Sequence, residues 1–333
     1  MKNIVNLGNV ATYINGYAFK PSDWAEDGTP IIRIQDLTGN SYQMNRFKGI
    51  VDSKYDVNSG DVLISWSASL GVYVWNRGNA VLNQHIFKVV FDKEEVDKDF
   101  FVFQIDNLLK RAANQAHGAT MRHLTKPVFD ALPFYLPDIK TQRLISSKLN
   151  LIVHLIEDHH EQLKKLDELI RSRFLEMFGD IELNSQNMQK MMWQEVFDTQ
   201  TGKLDANAAV KGGRYPFFTC AKEISTIDEY AYDCEALLLA GNNAVGDYDV
   251  KYYKGKFNAY QRTYILMLKN RQYSYSVFKF QLEQKLRYLQ LQSKGTNTRY
   301  LTMGILRSLD FIVPPIVKQQ EFAQFVNATD KSK

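Results

Sequence analysis

The chain has 333 residues, 45% of them hydrophobic, and a formal net charge of +4. That length calls for about two domains with ordinary cores, and two cysteines, Cys220 and Cys234, exclude a disulfide framework. No stretch approaches 18 uncharged apolar residues and the start, MKNIVNLGNVATYING, has no run fit for a signal peptide, so a soluble protein with no membrane partner and a reducing, cytoplasmic setting are expected. Net charge is 0 over residues 1–137, −1 over 138–180 and +5 over 181–333, a bias that permits nucleic-acid binding without demonstrating it.

In chain order, strand-like runs at residues 31–34, 62–66 and 86–91 precede a helical run at 99–116. Pro137 then introduces the longest stretch free of Pro and internal Gly, ending at Gly179. Within it Ile145, Leu149, Ile152, Ile156, Leu163, Leu166 and Ile170 recur at alternating steps of four and three, with His159 interrupting the stripe. This is a heptad seam. Pro137 suits the position before a first turn and Gly179 a left-handed C-terminal cap, so both helix ends are punctuated. About 40 residues at 1.5 Å each make a rod of roughly 60 Å, whose expected role is to space two bodies. Beyond it, strand-like runs at 217–219, 237–239 and 264–268 precede a helical run at 276–292, and Pro314 introduces a short second helix, IVKQQEFAQFVNATDKSK.

The two halves repeat. A shift of 177 residues aligns 78–142 with 255–319 without a gap, matching Gly78 with Gly255, Gln84 with Gln261, Phe103 with Phe280 and Gln104 with Gln281. The best stretch is GATMRHLTKPVFDALPFYLP against GTNTRYLTMGILRSLDFIVP, where Arg122 meets Arg299, Leu124 Leu301, Phe134 Phe311 and Pro137 Pro314. Upstream the register drifts, yet GTPIIRI and GRYPFFT, then DVLISW and EALLLAG, keep their order. The expected organisation is therefore α+β: a first domain at 1–137, a spacer helix at 138–180, a second domain of the same design at 181–314 and a short distal helix at 315–333.

This layout resembles the specificity subunit of type I restriction-modification systems, over nearly the whole chain. The resemblance is carried by Leu132, Phe134 and Pro137 leading to Gln142 and Ile145, by the helix end RSRFLEMFGD, by INGYAFKPSDW with GTPIIRIQDL, and by the close LDFIVPPIVKQQEFAQFV. It implies two target-recognition domains, each reading half of a bipartite, gapped site in double-stranded DNA. It also implies that the helices space those domains and dock methyltransferase (M) subunits, with the restriction (R) subunit joining through the complex in bacterial defence. DNA methylation and cleavage would fall to those partners, which would hold S-adenosylmethionine and ATP with magnesium, leaving no cofactor in this chain. The second helix ends earlier than the family pattern, so part of the seam, around residues 159–170, is expected to be exposed until a partner subunit or a second copy covers it.

DNA reading needs Arg for guanine O6 and N7, and Asn or Gln for adenine N6 and N7, held in loops. In the first domain the candidates are Arg33 and Gln35, Ser65, Trp66 and Ser67, Asn83, Gln84 and His85, and Arg122 with His123. In the second they are Lys222, Asn242 and Asn243, Gln261 and Arg262, and Thr296, Asn297 and Arg299. Positions shared by both repeats (Gln84 with Gln261, Arg122 with Arg299) suit phosphate positioning or a hydrogen bond inside the fold. Positions that differ, such as His85 against Arg262 or Ser67 against Gly241, suit base reading, because the two halves should read different sequences. The segment KYYKGKFNAYQRTY fits either a DNA-facing strand pair or plain alternation on an exposed sheet. His154, His159 and His160 lack the spacing of a helical zinc pair, and no metal is expected. No catalysis is expected either: the sole Pro-Pro, Pro314 and Pro315, lies between Val313 and Ile316 rather than in a base-flipping methylase motif, and no phosphate-cradling Gly-x-x-x-x-Gly-Lys is present. The rival reading is a protein-interaction scaffold that dimerises through the central coiled coil.

Overall fold

The structure, a computed structural model, describes residues 3–41, 43–67, 69–115 and 125–332. The chain divides into two compact units, Met1–Asp158 and His159–Lys333. The first contains β1 (Ile4–Asn6), β2 (Thr12–Asn15), β3 (Thr29–Ile32), α1 (Ile34–Leu37), β4 (Arg46–Phe47), β5 (Asp56–Val57), β6 (Val62–Ser65), β7 (Gly71–Val74), β8 (Ala80–Leu82), β9 (Ile86–Val90), α2 (Lys98–Gln115), α3 (Lys126–Asp130) and β10 (Pro133–Tyr135). The long helix α4 (Ile139–Phe178) follows, and the division into units falls inside it. The second unit continues with β11 (Gln189–Met192), α5 (Trp193–Val196), β12 (Phe197–Thr201), β13 (Tyr215–Phe218), β14 (Ser225–Ile227), β15 (Tyr232–Ala240), β16 (Asn242–Asn243), β17 (Val250–Ala259), β18 (Thr263–Leu268), α6 (Tyr275–Gln284), α7 (Leu286–Gln292), β19 (Arg299–Tyr300), α8 (Met303–Arg307), β20 (Asp310–Val313) and α9 (Ile316–Asp330).

Two four-stranded sheets, β2-β9-β6-β7 and β4-β3-β8-β5, build the first unit, whereas one six-stranded sheet, β12-β18-β15-β17-β13-β14, builds most of the second. The order of the shared strands is nonetheless the same, β5 in the first unit and the β16–β19 pair in the second being additions. β17 runs ten residues and pairs antiparallel with β15 and parallel with β13; in the first unit β7 takes the antiparallel partner and β8 the parallel one. β15 lies between β18 and β17, which is why ALLLA reads as a continuous buried apolar run rather than an alternating one. Two of the expected segments differ from what forms. The strand at 31–34 ends at Ile32, because the Arg33 amide donates to the Asp36 carboxylate (2.8 Å) and opens α1. The helical run at 276–292 divides at Lys285 into α6 and α7.

The repeat holds down to single hydrogen bonds. Gln104 donates from its amide nitrogen to the Tyr135 carbonyl (2.7 Å) and accepts from the Tyr135 amide (3.0 Å). Gln281 does the same with Ile312, at 2.9 Å each way. Gln142 accepts from the Asp97 amide (2.9 Å) and donates to the Pro137 carbonyl (2.8 Å), as Gln319 does with the Ser274 amide (2.9 Å) and the Pro314 carbonyl (2.8 Å). A side-chain amide is neutral and satisfies a backbone donor and acceptor together, so glutamine at these four places closes open strand and helix ends. Upstream the repeat continues at a larger offset: β1 pairs with β10 as β11 pairs with β20, placing Ile4 opposite Tyr135 and Lys190 opposite Ile312. At that offset Gly16 corresponds to Gly202. Their amides donate to the Ile86 and Thr263 carbonyls (3.1 Å each), and a Cβ at either would stand 2.0 or 2.1 Å from a carbonyl oxygen of the neighbouring strand.

Helix α4 starts where the Asp138 carboxylate accepts from the Thr141 amide (3.0 Å) and hydroxyl (2.7 Å), and ends at Gly179, whose φ is +71°. The Thr141 hydroxyl and amide bonds hold the Asp138 carboxyl below its ordinary range. Along the seam, Ile145 packs against the first unit's core and Leu149 is half-buried, while residues 151–165 are exposed throughout. Leu166 is half-buried and Ile170 buried. The bare stretch therefore begins earlier than the expected 159–170 and ends sooner. Phe174 explains the shift: its ring stacks on Phe280 at 4.2 Å and meets Phe322 edge-on at 5.3 Å, drawing Ile170, Met177 and Phe178 into the second core.

Candidate nucleic-acid interface

The interface builds up from one turn. In the second unit β17 leads into β18 through Tyr260-Gln261-Arg262-Thr263, closed by the Thr263 amide donating to the Tyr260 carbonyl (2.8 Å). The Arg262 carbonyl accepts from the Gly241 amide (2.8 Å), just beyond β15, and the Gly241 carbonyl accepts from Leu301 (2.8 Å). Beyond Gly241, β16 pairs with β19, setting Asn242 opposite Tyr300 and Asn243 opposite Arg299. Lys251 donates to the Ala221 carbonyl (2.9 Å), and Lys222 pairs with Asp247 at 2.6 Å. These bonds gather Lys222, Asn242, Asn243, Gln261, Arg262 and Arg299 at one end of the sheet. Thr296 and Asn297 sit exposed in the turn that links Lys294 to Tyr300.

Within that set the side chains divide. Gln261, Arg262, Thr296 and Asn297 are exposed. Asn243 is occupied: its carbonyl oxygen accepts from the Val245 (2.9 Å) and Asp247 (3.3 Å) amides and shapes the loop. Arg299 donates to the Gln290 carbonyl at 3.2 Å. The hydrogen bond and charge of Asp247 hold the Lys222 ammonium above its ordinary pKa, so the side chain stays cationic near neutral pH. In β17 the alternation exposes Tyr252, Lys254 and Lys256, but these are already engaged. Tyr252 donates to Glu235 (2.7 Å), Lys254 pairs with Glu235 (3.1 Å) and Lys256 lies over the Tyr230 ring (4.6 Å). Exposed-sheet alternation accounts for KYYKGK.

The first unit places the corresponding turn at Asn83-Gln84-His85-Ile86. The Gln84 amide donates to the Tyr17 carbonyl (2.8 Å) as the Gln261 amide does to Leu204 (2.8 Å), and the Trp66 amide donates to His85 (3.3 Å) as Gly241 does to Arg262. Trp66, not Ser67, is thus the counterpart of Gly241, because its amide makes the matching bond. Its indole donates to Asn15 (3.2 Å) and its ring meets His85 edge-on at 5.0 Å. His85 has φ +72°, and both Asn83 Oδ1 and His85 Nδ1 are buried without a hydrogen-bond partner.

Several other candidates serve the fold instead. Ser65 is fully buried, donating to the Ser67 (3.3 Å) and Ser69 carbonyls to hold the end of β6, and Ser67 is buried beside it. Arg33 lies half-buried as the single residue linking β3 to α1, its guanidinium 3.9 Å from Asp36 and over the Trp24 ring at 5.4 Å. Gln35 is exposed on α1. Arg122 and His123 lie outside the described residues. Sequence reasoning overlooked Asn15 and Cys220; the pairs Val10 with Val196 and Gly16 with Gly202 would have located the strands that carry Asn15. Among the described residues no group of three or more His, Cys, Asp or Glu could hold a metal ion, and no helix is long and apolar enough to cross a membrane.

A second surface lies on the helices. In the first unit a cavity of about 280 Å³ opens between α2 and α4, lined by Phe100, Phe103, Leu108, Ile145 and Leu149. In the second unit the counterparts of Phe103 and Ile145 are Phe280 and Phe322, and Phe174 fills the space at their side. Beside that ring the second unit keeps a cavity of about 810 Å³, lined by Ile170, Phe280, Phe322 and Val326, so the corresponding grooves differ in size and in the ring that Phe174 adds to one of them.

The family model for the type I restriction modification DNA specificity domain matches residues 2–168 and 185–333. Over 132 residues the chain is 38% identical to the EcoDI specificity subunit of a type I restriction enzyme from Escherichia coli, a match covering 39% of this chain and 28% of that protein. It is 25% identical over 170 residues to the EcoBI specificity subunit from Escherichia coli, covering 50% of this chain and 35% of that one. The matches thus span about a third of those relatives' length. A crystal structure of the S subunit of a type I restriction-modification system from M. genitalium aligns with 99% of this chain and 89% of its own, with a TM-score of 0.62 at 14% identity, which establishes a shared fold.

Proposed function

The chain belongs to the family of type I restriction modification DNA specificity domains, and from that premise we propose that it is the non-catalytic, DNA-reading subunit of a type I restriction-modification complex. Each unit reads one half of a bipartite, gapped site in double-stranded DNA through the loops around its 83–86 or 260–263 turn. One observation carries this reading: the two units share a hydrogen-bonded frame almost bond for bond, yet present different side chains at the same edge of it, Trp66 and His85 in one, Gly241 and Arg262 in the other. A repeated frame with unlike faces is what two unlike half-sites call for.

Helix α4 sets the gap. Its 40 residues make about 60 Å at 1.5 Å each, against about 34–36 Å for one turn of B-DNA. The exposed stripe of Leu151, Ile152, Leu155, Ile156 and Leu163, with the open groove beside Ile145 and Leu149, docks methyltransferase subunits or a second copy of the chain. The restriction subunit joins through them in the cytoplasm. Methylation with S-adenosylmethionine, and cleavage with ATP and magnesium, belong to those partners.

The test is a footprint of the chain assembled with its methyltransferase subunit, over a range of salt. Protection of two separated half-sites, with affinity falling steeply as salt rises, is the expected result. Unprotected DNA, with a salt-insensitive protein complex formed through the α4 stripe, would favour the scaffold reading instead.

A further inference from the structure

Both units hold a four-residue turn in the same framework, Asn83-Gln84-His85-Ile86 and Tyr260-Gln261-Arg262-Thr263, and its residues take unequal parts in that framework. The first residue of the turn donates to the strand that pairs in parallel, Asn83 to Ile32 (3.1 Å) and Tyr260 to Phe218 (2.9 Å). The second is glutamine in both units and donates through its backbone to Tyr17 or Leu204 (2.8 Å each). The fourth accepts at its carbonyl from Gly16 or Gly202 (3.1 Å each). Only the third lends the frame nothing but its carbonyl, taken by Trp66 or Gly241.

That third residue is also where the turns part. Arg262 has an exposed side chain, while its carbonyl is pinned by the Gly241 amide and receives the Cys220 thiol at 3.5 Å. His85 instead takes φ +72°, a conformation costly for a non-glycine residue, and lies against the Trp66 indole with its Nδ1 buried and unpartnered. A rigid backbone carrying an exposed donor fork is suited to bidentate pairing with guanine O6 and N7, and the pinned carbonyl removes backbone freedom that such pairing would otherwise have to freeze.

We propose that this third turn residue is the specificity-determining position of each unit, with Arg262 reading a guanine in one half-site and His85, braced by Trp66, reading a base in the other. The proposal rests on the reading of the chain as a DNA-binding subunit. Gln84 and Gln261, common to both turns, then serve affinity without base choice.

The experiment selects duplexes bound by the full chain from a randomised library and compares Arg262→Gln, His85→Asn and Gln261→Ala with the unmodified protein. Asparagine keeps a side chain that tolerates the positive φ, and thermal melting of each variant reports that it is folded. Arg262→Gln is expected to lower the preference for guanine at one column of one half-site by roughly 5- to 150-fold, with the other half-site and the gap unchanged. His85→Asn should alter a single column in the opposite half-site, and Gln261→Ala should weaken binding without altering any column. If Arg262→Gln and His85→Asn leave every column as it was, or weaken all sequences alike, these residues touch phosphate or nothing and the proposal is overturned while DNA reading stands. If the unmodified chain enriches no duplex, the DNA reading itself falls and takes the proposal with it.

Discussion

The two units are the same solution reached with different completeness. In the second, Phe174 packs against Phe280 of α6 and Phe322 of α9, beside a cavity of about 810 Å³. In the first, the groove between α2 and α4 is open along Phe103, Ile145 and Leu149. The contrast separates what both units need from what one unit adds. The paired glutamines and the close glycine approaches recur in both units, so they belong to the frame; the Phe174 ring is added in one unit alone.

The largest test of that contrast is Phe174→Ala, which removes a fully buried ring and is expected to lower the stability of the second unit by about 3–5 kcal/mol in a denaturant melt. Ile145→Ala, beside the open groove, should cost far less, about 1 kcal/mol; equal losses would mean that the groove is not open in solution. Next come the glutamines. Gln281 is fully buried, and Gln281→Ala strands both the amide and the carbonyl of Ile312, an expected loss of about 2–4 kcal/mol. Gln104→Ala in the half-exposed counterpart should cost about 1 kcal/mol. Gly16→Ala and Gly202→Ala should each cost about 1–3 kcal/mol, and alike, because the clash with the neighbouring strand is the same in both units.

The smallest effect is on pH. Burial raises the Asp310 carboxyl, but the hydrogen bond from Lys190 and the charges of Lys285 and Lys190 outweigh it and hold the group below 3.8. A folded-state value below the unfolded one means that Asp310 stabilises the second unit above about pH 3.8 and loses that contribution as pH falls through the folded value. Asp310→Asn should therefore be less stable than the parent near neutrality by at most about 1 kcal/mol, since the pair is partly exposed and screened, and the difference should close in acid melts. The first unit has Pro133 at this place and so has no carboxyl there to contribute.

Much of this architecture is written in the order of residues. The 177-residue repeat stands out because Gln104, Gln142 and their counterparts each bond a backbone donor and a backbone acceptor, Pro137 and Pro314 offering the carbonyl in one pair, so the same residues recur at the same place. The helix α4 is legible from its stripe, the proline before it and its glycine end. The N-terminal strands of each unit are less so, because hydrogen bonds between backbones fix them and only Val10 with Val196 and Gly16 with Gly202 mark the larger offset. The candidate site was read only in part. Composition marks Ser65 and Arg33 as polar, but nothing local tells that Ser65 turns inward to carbonyls or that Asp36 and Trp24 occupy Arg33. The turn at His85 and Arg262 was visible as a difference between copies, and its rigidity came only from bonds made by distant strands.

The claim that two frames carry two independent readings is tested most directly by replacing residues 1–137 with the same region of a relative of different specificity and selecting bound duplexes from a random library. The account predicts that one half-site changes while the other, and the gap between them, stays fixed. A change in both half-sites, or in the gap, would contradict it.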